Sequence, residues 1–362
     1  MAKEMLLAAK LNKFKGCLLG LAIGDALGAP VEKLSAEEIH DHYGILDRYI
    51  DATRGMNPEK IKAGEWTDDT RMTLAEARGI IAAAKNDPEL YLAAYNINSK
   101  PNLPEAVARE HLADWLAYPD HKFYGRTTRK ALDALALGAP WRESGNSLGQ
   151  GNGVAMRIAP LALWFAENYP DDLWPFYNRR MTRRLAKLIG TIGGITHKAP
   201  HSLVAGTLQA IMITKAYRFT GGSDEEWAET TYAELCSAAE TAEGVFDSDE
   251  IISTIVKINT DGNNFLRGEK LRRCVSPGFS STESCPFSWF TALAHAGSFE
   301  DGIIAAVNAG GDADTNGSMV GAILGAKFGL SGIKKESWIS GLQKREEVLA
   351  LADELYRVSV RK

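Results

Sequence analysis

Cysteine is scarce in this sequence. The four residues, Cys17, Cys236, Cys274 and Cys285, form no CxxC pair and no Cys/His cluster. Their scatter argues against a disulfide framework or a zinc module and fits reduced thiols in a cytoplasmic protein. A block of basic charge is also missing. Lys and Arg number 41 against 46 Asp and Glu, a net charge of −5, so no nucleic-acid footprint stands out. The one local concentration, NRRMTRRLAKL (Asn178 to Leu188), alternates with apolar residues and reads as the solvated face of a helix. No apolar run reads as long enough to span a bilayer: CLLGLAIG stops at Asp25. The opening MAKEMLLAAKLNKFKG is broken by Lys10, Lys13 and Lys15 and has no signal-peptide core. The expectation is a soluble, cytoplasmic protein with neither a membrane nor a nucleic-acid partner. Alternation at period two is rare, and no Ser/Pro linker or low-complexity tract divides the chain. One all-α domain is expected.

What is present is helical periodicity. Apolar residues recur at three- and four-residue steps in Thr73–Lys85, Pro104–Ala117, His201–Phe219, Asp224–Ala242 and Glu346–Val358. IISTIVKI (Ile251 to Ile258) is ambiguous between strand and helix. Two glycine ladders stand out. Gly16, Gly20, Gly24 and Gly28 repeat every fourth residue, and so do Gly317, Gly321, Gly325 and Gly329. Each glycine inside a helix costs about 1 kcal/mol relative to alanine, so the stripes need a compensating benefit, and close backbone approach is the usual one. Two deeply buried helices packed ladder to ladder would bring the end of GDALGAPVE beside the start of GGDADTNG.

Those two stretches are acidic, and a third joins them. The clusters are Asp25 with Glu32, Thr67-Asp68-Asp69, and Asp312 and Asp314 with Thr315. The last two precede strong helices, so capping is the plain alternative: Asp and Thr are preferred caps and acids favour the positive helix end. A cap needs only one acceptor, however, and adjacent desolvated carboxylates repel. Carboxylate and hydroxyl oxygens without nearby His or Cys suit a hard cation, Mg²⁺ or Mn²⁺. Four Asp and two Thr suffice for two ions.

Three further segments carry candidate chemistry. In GQGNGVAMRIAPLAL, Gly149, Gly151 and Gly153 would let backbone N–H groups approach an anion such as a diphosphate, although an ordinary loop has the same composition. His197 in GITHKAPHS is either a ligand contact or a structural histidine. YGRTTRKAL (Tyr124 to Leu132) reads as a turn and a helix cap.

In order along the chain, GCLLGLAIGDALGAPVE, WTDDTRMTLAEA, YGRTTRKAL, GNGVAMRIAPLAL, THKAPHSLVAG and FEDGIIAAVNAGGDADTNGSMVGAILGAKFG resemble the motifs of the ADP-ribosylglycohydrolase family. The resemblance spans roughly residues 14 to 330. It implies a catalytic domain over residues 14–362 behind an N-terminal extension, 1–13. It also implies a compact all-α fold with a cleft holding two Mg²⁺ ions, Mn²⁺ in some members. Carried over by motif, Thr67, Asp68, Asp69, Asp312, Asp314 and Thr315 are the expected metal ligands. Glu32 is an expected catalytic acid, with Asp69 beside it. Gly149, Gly151, Asn152, Gly153 and His197 are expected to bind substrate. Asp25 is expected to support the site from behind. Ala313 and Asn316 depart from residues common in the family without removing a ligand oxygen. Leu148 and Gln150 differ from the serine-specific members.

The resemblance implies hydrolysis at ribose C1″, with ADP-ribosyl-arginine the expected linkage on a modified protein. A role against an ADP-ribosylating toxin is one context for that activity. Glycosidic cleavage passes through an oxocarbenium-like state and needs a carboxylate for proton transfer. Glu32 is placed to serve it. The alternatives are an ADP-ribosyl-serine or small-molecule conjugate hydrolase, a non-catalytic ADP-ribose or partner-binding protein, and a Mg²⁺-dependent phosphohydrolase whose product would be AMP.

Overall fold

The structure is a computed structural model that describes residues 2–54, 61–87, 89–90, 102–118, 123–169, 179–258 and 265–360. Among these residues there is no sheet. The helices are α1 (Ala2–Gly28), α2 (Ala36–Tyr43), α3 (Asp68–Asn86), α4 (Leu103–Ala117), α5 (Arg126–Ala136), α6 (Trp141–Ser144), α7 (Ala159–Asn168), α8 (Arg179–Gly193) and α9 (Pro200–Arg218). They continue with α10 (Asp224–Phe246), α11 (Glu250–Ile258), α12 (Gly268–Cys274), α13 (Ser284–Ala294), α14 (Phe299–Val307), α15 (Ala313–Phe328), α16 (Glu336–Gly341) and α17 (Arg345–Ser359). IISTIVKI is helical in α11, with Ile251, Ile255 and Ile258 buried at helical steps. In α8, Met181, Leu185, Ala186 and Ile189 face inward while Arg179, Arg180 and Arg183 face solvent, so the basic cluster is one face of an amphipathic helix. Asn178 lies outside the described residues.

The two glycine ladders meet. α1 and α15 run antiparallel at the centre of the molecule, flanked by α17, α9, α13 and α14. A Cβ built on Gly20 would lie 2.5 Å from the Gly321 carbonyl oxygen, and one on Gly24 would lie 2.0 Å from that of Gly317. At the two ends Gly16 meets Gly325 and Gly329, and Gly28 meets Ala313. Backbone touches backbone along the whole seam, which only residues without a side chain permit. Gly329 has φ +71° and closes α15 as its C-terminal cap.

α1 is longer than its apolar core suggested. It is one helix from Ala2, and the stretch Lys3–Val31 is long and apolar enough by length and composition to cross a membrane. Its most apolar window is 94% buried inside the protein. Cys17, Leu18, Leu19, Leu21, Ala22 and Ile23 face other helices on all sides, which accounts for that composition.

The seam fixes the site. Antiparallel packing puts the C-terminal end of α1, with Asp25 and Glu32, beside the N-terminal end of α15, with Asp312, Asp314 and Thr315.

Candidate active site

Asp25 is fully buried on α1 and is saturated with donors from α3. Thr67 N–H donates to it at 3.0 Å and Thr67 Oγ1 at 2.8 Å, while Thr70 N–H donates at 2.9 Å and Thr70 Oγ1 at 2.6 Å. Thr67 is the N-cap of α3 but makes no side-chain cap bond of its own. A carboxylate from another helix caps α3 instead. This fixes the first turn of α3, and Asp68 and Asp69 leave it toward α15. Burial and the Asp314 charge raise the Asp25 carboxyl to about 7 despite these four donors.

The GGDADTNG turn is held by a backbone clasp. Lys33 N–H donates to the Gly311 carbonyl at 2.7 Å, and Gly311 N–H donates to the Leu34 carbonyl at 2.9 Å. Gly310 and Gly311 have φ of +79° and +71°, and a Cβ on either would strike backbone oxygen within 2.5 Å. Both glycines are therefore required by conformation and by space. The clasp sets Glu32 against the start of α15. Carboxylate oxygens of Glu32, Asp312 and Asp314 lie within 4.8 Å of one another. Thr315 Oγ1 donates to Asp69 Oδ2 at 3.3 Å, and Thr315 N–H donates to Asp314 Oδ1 at 2.9 Å.

This concentration of acid is costly. Burial, with the charge of Asp314 next in size, pushes Glu32 up to about 9 and holds Asp68 well above the ordinary aspartate range. Asp69 is raised by burial and then by Asp25, and Asp312 by burial and then by Asp314. Asp69 Oδ1 is buried and accepts no hydrogen bond from the described residues. Helix capping does not explain such a set. Asp312 and Thr67 stand at N-cap positions but neither side chain caps its own helix. An orphaned carboxylate oxygen, three converging carboxylates and two buried threonines are the donor set of a hard divalent cation, which the cluster can hold.

The acids form one end of a cavity of about 650 Å³. The glycine loop forms another of its walls. Asn152 Nδ2 reaches across to donate to Asp312 Oδ2 at 2.5 Å and to Ser284 Oγ at 3.0 Å, so it ties the loop to the acids. Ser202 Oγ donates to the carbonyls of Gly149 and Gly151. His197 lies beneath Gly153, where a Cβ would fall 2.5 Å from its Cε1 and 2.9 Å from its Nε2. His197 is 2% exposed, and burial, then the charges of Arg157 and His201, drop its pKa to about 3. It is neutral.

Thus the residues singled out from sequence, Glu32, Thr67, Asp68, Asp69, Gly149, Gly151, Asn152, Gly153, His197, Asp312, Asp314 and Thr315, come together in one region. All but Thr67 and Gly149 line the cavity itself. Gly149 packs on Thr127 of the cavity wall, and Thr67 lies one step back against Asp25. Two other walls were not foreseen. The N-terminal turn of α5 lines the cavity with Gly125, Arg126, Thr127 and Thr128. YGRTTRKAL holds the start of α5, where Gly125 stands at the N-cap position without a side-chain cap bond, and it is also cavity wall. The loop before α13 brings Phe279 and Ser280. Its Pro277 carbonyl accepts from Asp312 N–H at 2.8 Å and from Asn316 Nδ2 at 3.0 Å. Asn316 anchors that loop.

The fold and site together define an all-α protein with an acid-walled pocket that a glycine-rich loop also lines. The ADP-ribosylglycohydrolase family model matches residues 7–362, so the chain belongs to that family. The match extends past the residues where motifs were legible at both ends. An uncharacterized protein of Archaeoglobus fulgidus is 30% identical over 352 residues, covering 97% of this chain and 98% of its own. The ADP-ribosylarginine hydrolase Tri1 of Serratia proteamaculans is 27% identical, over 96% of this chain and 79% of its own. A solved structure described as an ADP-ribosylglycohydrolase-related protein complex superposes with a TM-score of 0.64 at 28% identity, covering 98% of this chain and all of the other.

Proposed function

We propose that this protein is a divalent-cation-dependent hydrolase that releases ADP-ribose from a modified protein side chain, with arginine as the linkage. The observation that carries the proposal is the juxtaposition of a cation-demanding acid cluster with a glycine-loop wall across one cavity. A diphosphate and a ribose need that pair of environments at the two ends of one ligand.

In this reading Thr67, Asp68, Asp69, Asp312, Asp314 and Thr315 hold two Mg²⁺ ions, for which Mn²⁺ can substitute. Bound there, the cations supply positive charge that orients ribose hydroxyls and acidifies water. The chain's own residues do the rest. Backbone N–H groups of Gly149–Gly153 and the first turn of α5 receive the diphosphate. Asn152 holds that loop against Asp312, which fixes the distance between the diphosphate end and the ribose end. Glu32 and Asp69 face the ribose from the acid side. With cations offsetting the acid charge that helps to raise its pKa, Glu32 would take a proton from the attacking water and return one to the departing guanidine, a base too strong to leave unprotonated. The likeness to the arginine hydrolase Tri1 supports the linkage. A modified protein is the partner, and removal of a mark left by an ADP-ribosylating toxin is a biological setting consistent with it.

The test is release of ADP-ribose from an arginine-ADP-ribosylated protein, with and without Mg²⁺, beside a serine-ADP-ribosylated peptide. Mg²⁺-dependent release of intact ADP-ribose from the arginine substrate is expected. Release from the serine peptide alone would correct the linkage. AMP as product would replace glycosidic with phosphoanhydride hydrolysis. No product from either, with ADP-ribose still bound, would make the protein a binder.

A further inference from the structure

Behind the cavity runs a buried polar chain that nothing in the proposed reaction requires. Arg157 is fully buried in the turn after the glycine loop. Its Nε donates to Glu76 Oε2 of α3 at 3.2 Å, and its Nη1 donates to the Gly153 carbonyl at 2.6 Å and to Thr196 Oγ1 at 2.9 Å. Thr196 Oγ1 lies 2.8 Å from His197 Nδ1. The direction of that last bond follows from counting protons. A guanidinium only donates, so Thr196 Oγ1 must accept from Arg157 and keeps one proton of its own to give. Among the described residues two acceptors are in reach. The Gly193 carbonyl is 3.5 Å away and already accepts the N–H groups of Thr196 and His197, at 3.0 and 2.9 Å. His197 Nδ1 is closer. The hydroxyl proton therefore goes to Nδ1, and a neutral imidazole that accepts at Nδ1 carries its proton on Nε2. Nε2 lies under Gly151 and Gly153, and the ring lines the cavity.

We propose that Thr196, oriented by the buried Arg157–Glu76 pair, locks His197 as the Nε2–H tautomer, so that Nε2 is a dedicated donor into the cavity, addressed to an anionic oxygen of the ligand. Thr196 and Arg157 are positioning residues here. Arg157 grips the Gly153 carbonyl as well, so one guanidinium sets both the loop and the histidine that face the same ligand group. The identity of that acceptor as a diphosphate oxygen rests on the proposed function. The tautomer does not.

The experiment is a long-range ¹H–¹⁵N correlation spectrum of full-length protein labelled at its seven histidines, with His197→Gln to assign the resonances. The wild type is expected to show His197 protonated at Nε2 and unprotonated at Nδ1. Thr196→Val, which keeps shape but loses the hydroxyl, should release the lock and shift both nitrogens toward the values of an averaged imidazole. Thr196→Ser should restore them. Calorimetry with ADP-ribose should show at least about a tenfold weaker Kd for Thr196→Val and little change for Thr196→Ser. A wild-type His197 protonated at Nδ1, or a spectrum unmoved by Thr196→Val, overturns the proposal. Once His197→Gln has assigned the resonances, the wild-type spectrum does not depend on Thr196→Val, so a poorly folding Thr196→Val leaves it decisive. Absence of ADP-ribose binding by the wild type would refute the functional reading alone.

Discussion

Two helix glycines should respond to alanine with opposite signs. Gly24 lies in the α1–α15 seam, and a Cβ there would be 2.0 Å from the Gly317 oxygen, 2.2 Å from its carbon and 2.8 Å from Ser318 N. Ordinary contact begins at 3.4 Å, so relief needs about 1.4 Å of separation (3.4 − 2.0). The obstacle is backbone, so no rotamer can turn aside. A radial gap of 0.5–1 Å already forfeits a quarter to a half of the dispersion well at each contact it opens. Gly24→Ala therefore falls at or beyond the upper end of the ~1–3 kcal/mol overpacking range. About 1 kcal/mol of helix propensity offsets part of that, leaving a net loss of about 2 kcal/mol or more. Gly244 in α10 is exposed, and nothing lies within 4 Å of its Cβ position. Gly244→Ala should gain up to about 1 kcal/mol. Urea unfolding followed by circular dichroism reads the difference, about 3 kcal/mol. Gly24→Ala should also lower turnover per folded molecule, because α1 carries Asp25 and leads to Glu32. Gly16→Ala strains the same seam about 12 Å from Gly24 (8 residues at 1.5 Å rise), and should cost stability with less effect on turnover. Equal stabilities for Gly24→Ala and Gly244→Ala would refute the seam.

The acid cluster and its supports make three further predictions. Glu32 is raised from 4.5 to about 9, so the folded protein holds a proton that the unfolded chain releases, and cation-free stability should fall as pH rises from about 4 toward 9. Mg²⁺ at a hundred times its Kd should restore about 2.7 kcal/mol, and a melting temperature indifferent to Mg²⁺ at pH 8 would count against a cation site. Asp314→Asn removes the charge that most raises Glu32 and Asp68 after burial itself; cation-free protein should melt higher while turnover falls at least about a hundredfold, and a variant that melts lower yet stays active would return Asp314 to a capping role. Asp25→Ala strands four buried donors of Thr67 and Thr70 at about 1–3 kcal/mol each, whereas Asp25→Asn keeps an acceptor oxygen, so unfolding should rank alanine as the worse by about 2 kcal/mol.

The parts of this molecule legible in the sequence are those whose reason is local or periodic. The ladders could be paired in advance because a four-residue repeat makes a stripe by helix geometry alone, and only contact with backbone repays its cost. The acid clusters could be separated from caps because a cap uses one acceptor and each cluster offered more. What escaped is written in pairings across long stretches of chain. Pro277 shows no pattern, yet its carbonyl positions both Asp312 and Asn316. Glu76 and Arg157 read as ordinary polar residues of helical segments, and only the fold reveals that both are fully buried and joined. YGRTTRKAL was ambiguous in principle, since a helix start that caps itself and one that lines a cavity use the same residues. The sequence thus displays the side chains that line the cavity more openly than those that aim them. An aiming residue such as Thr196 needs only one hydroxyl at one distance, and a single hydroxyl leaves no signature until its neighbours are known.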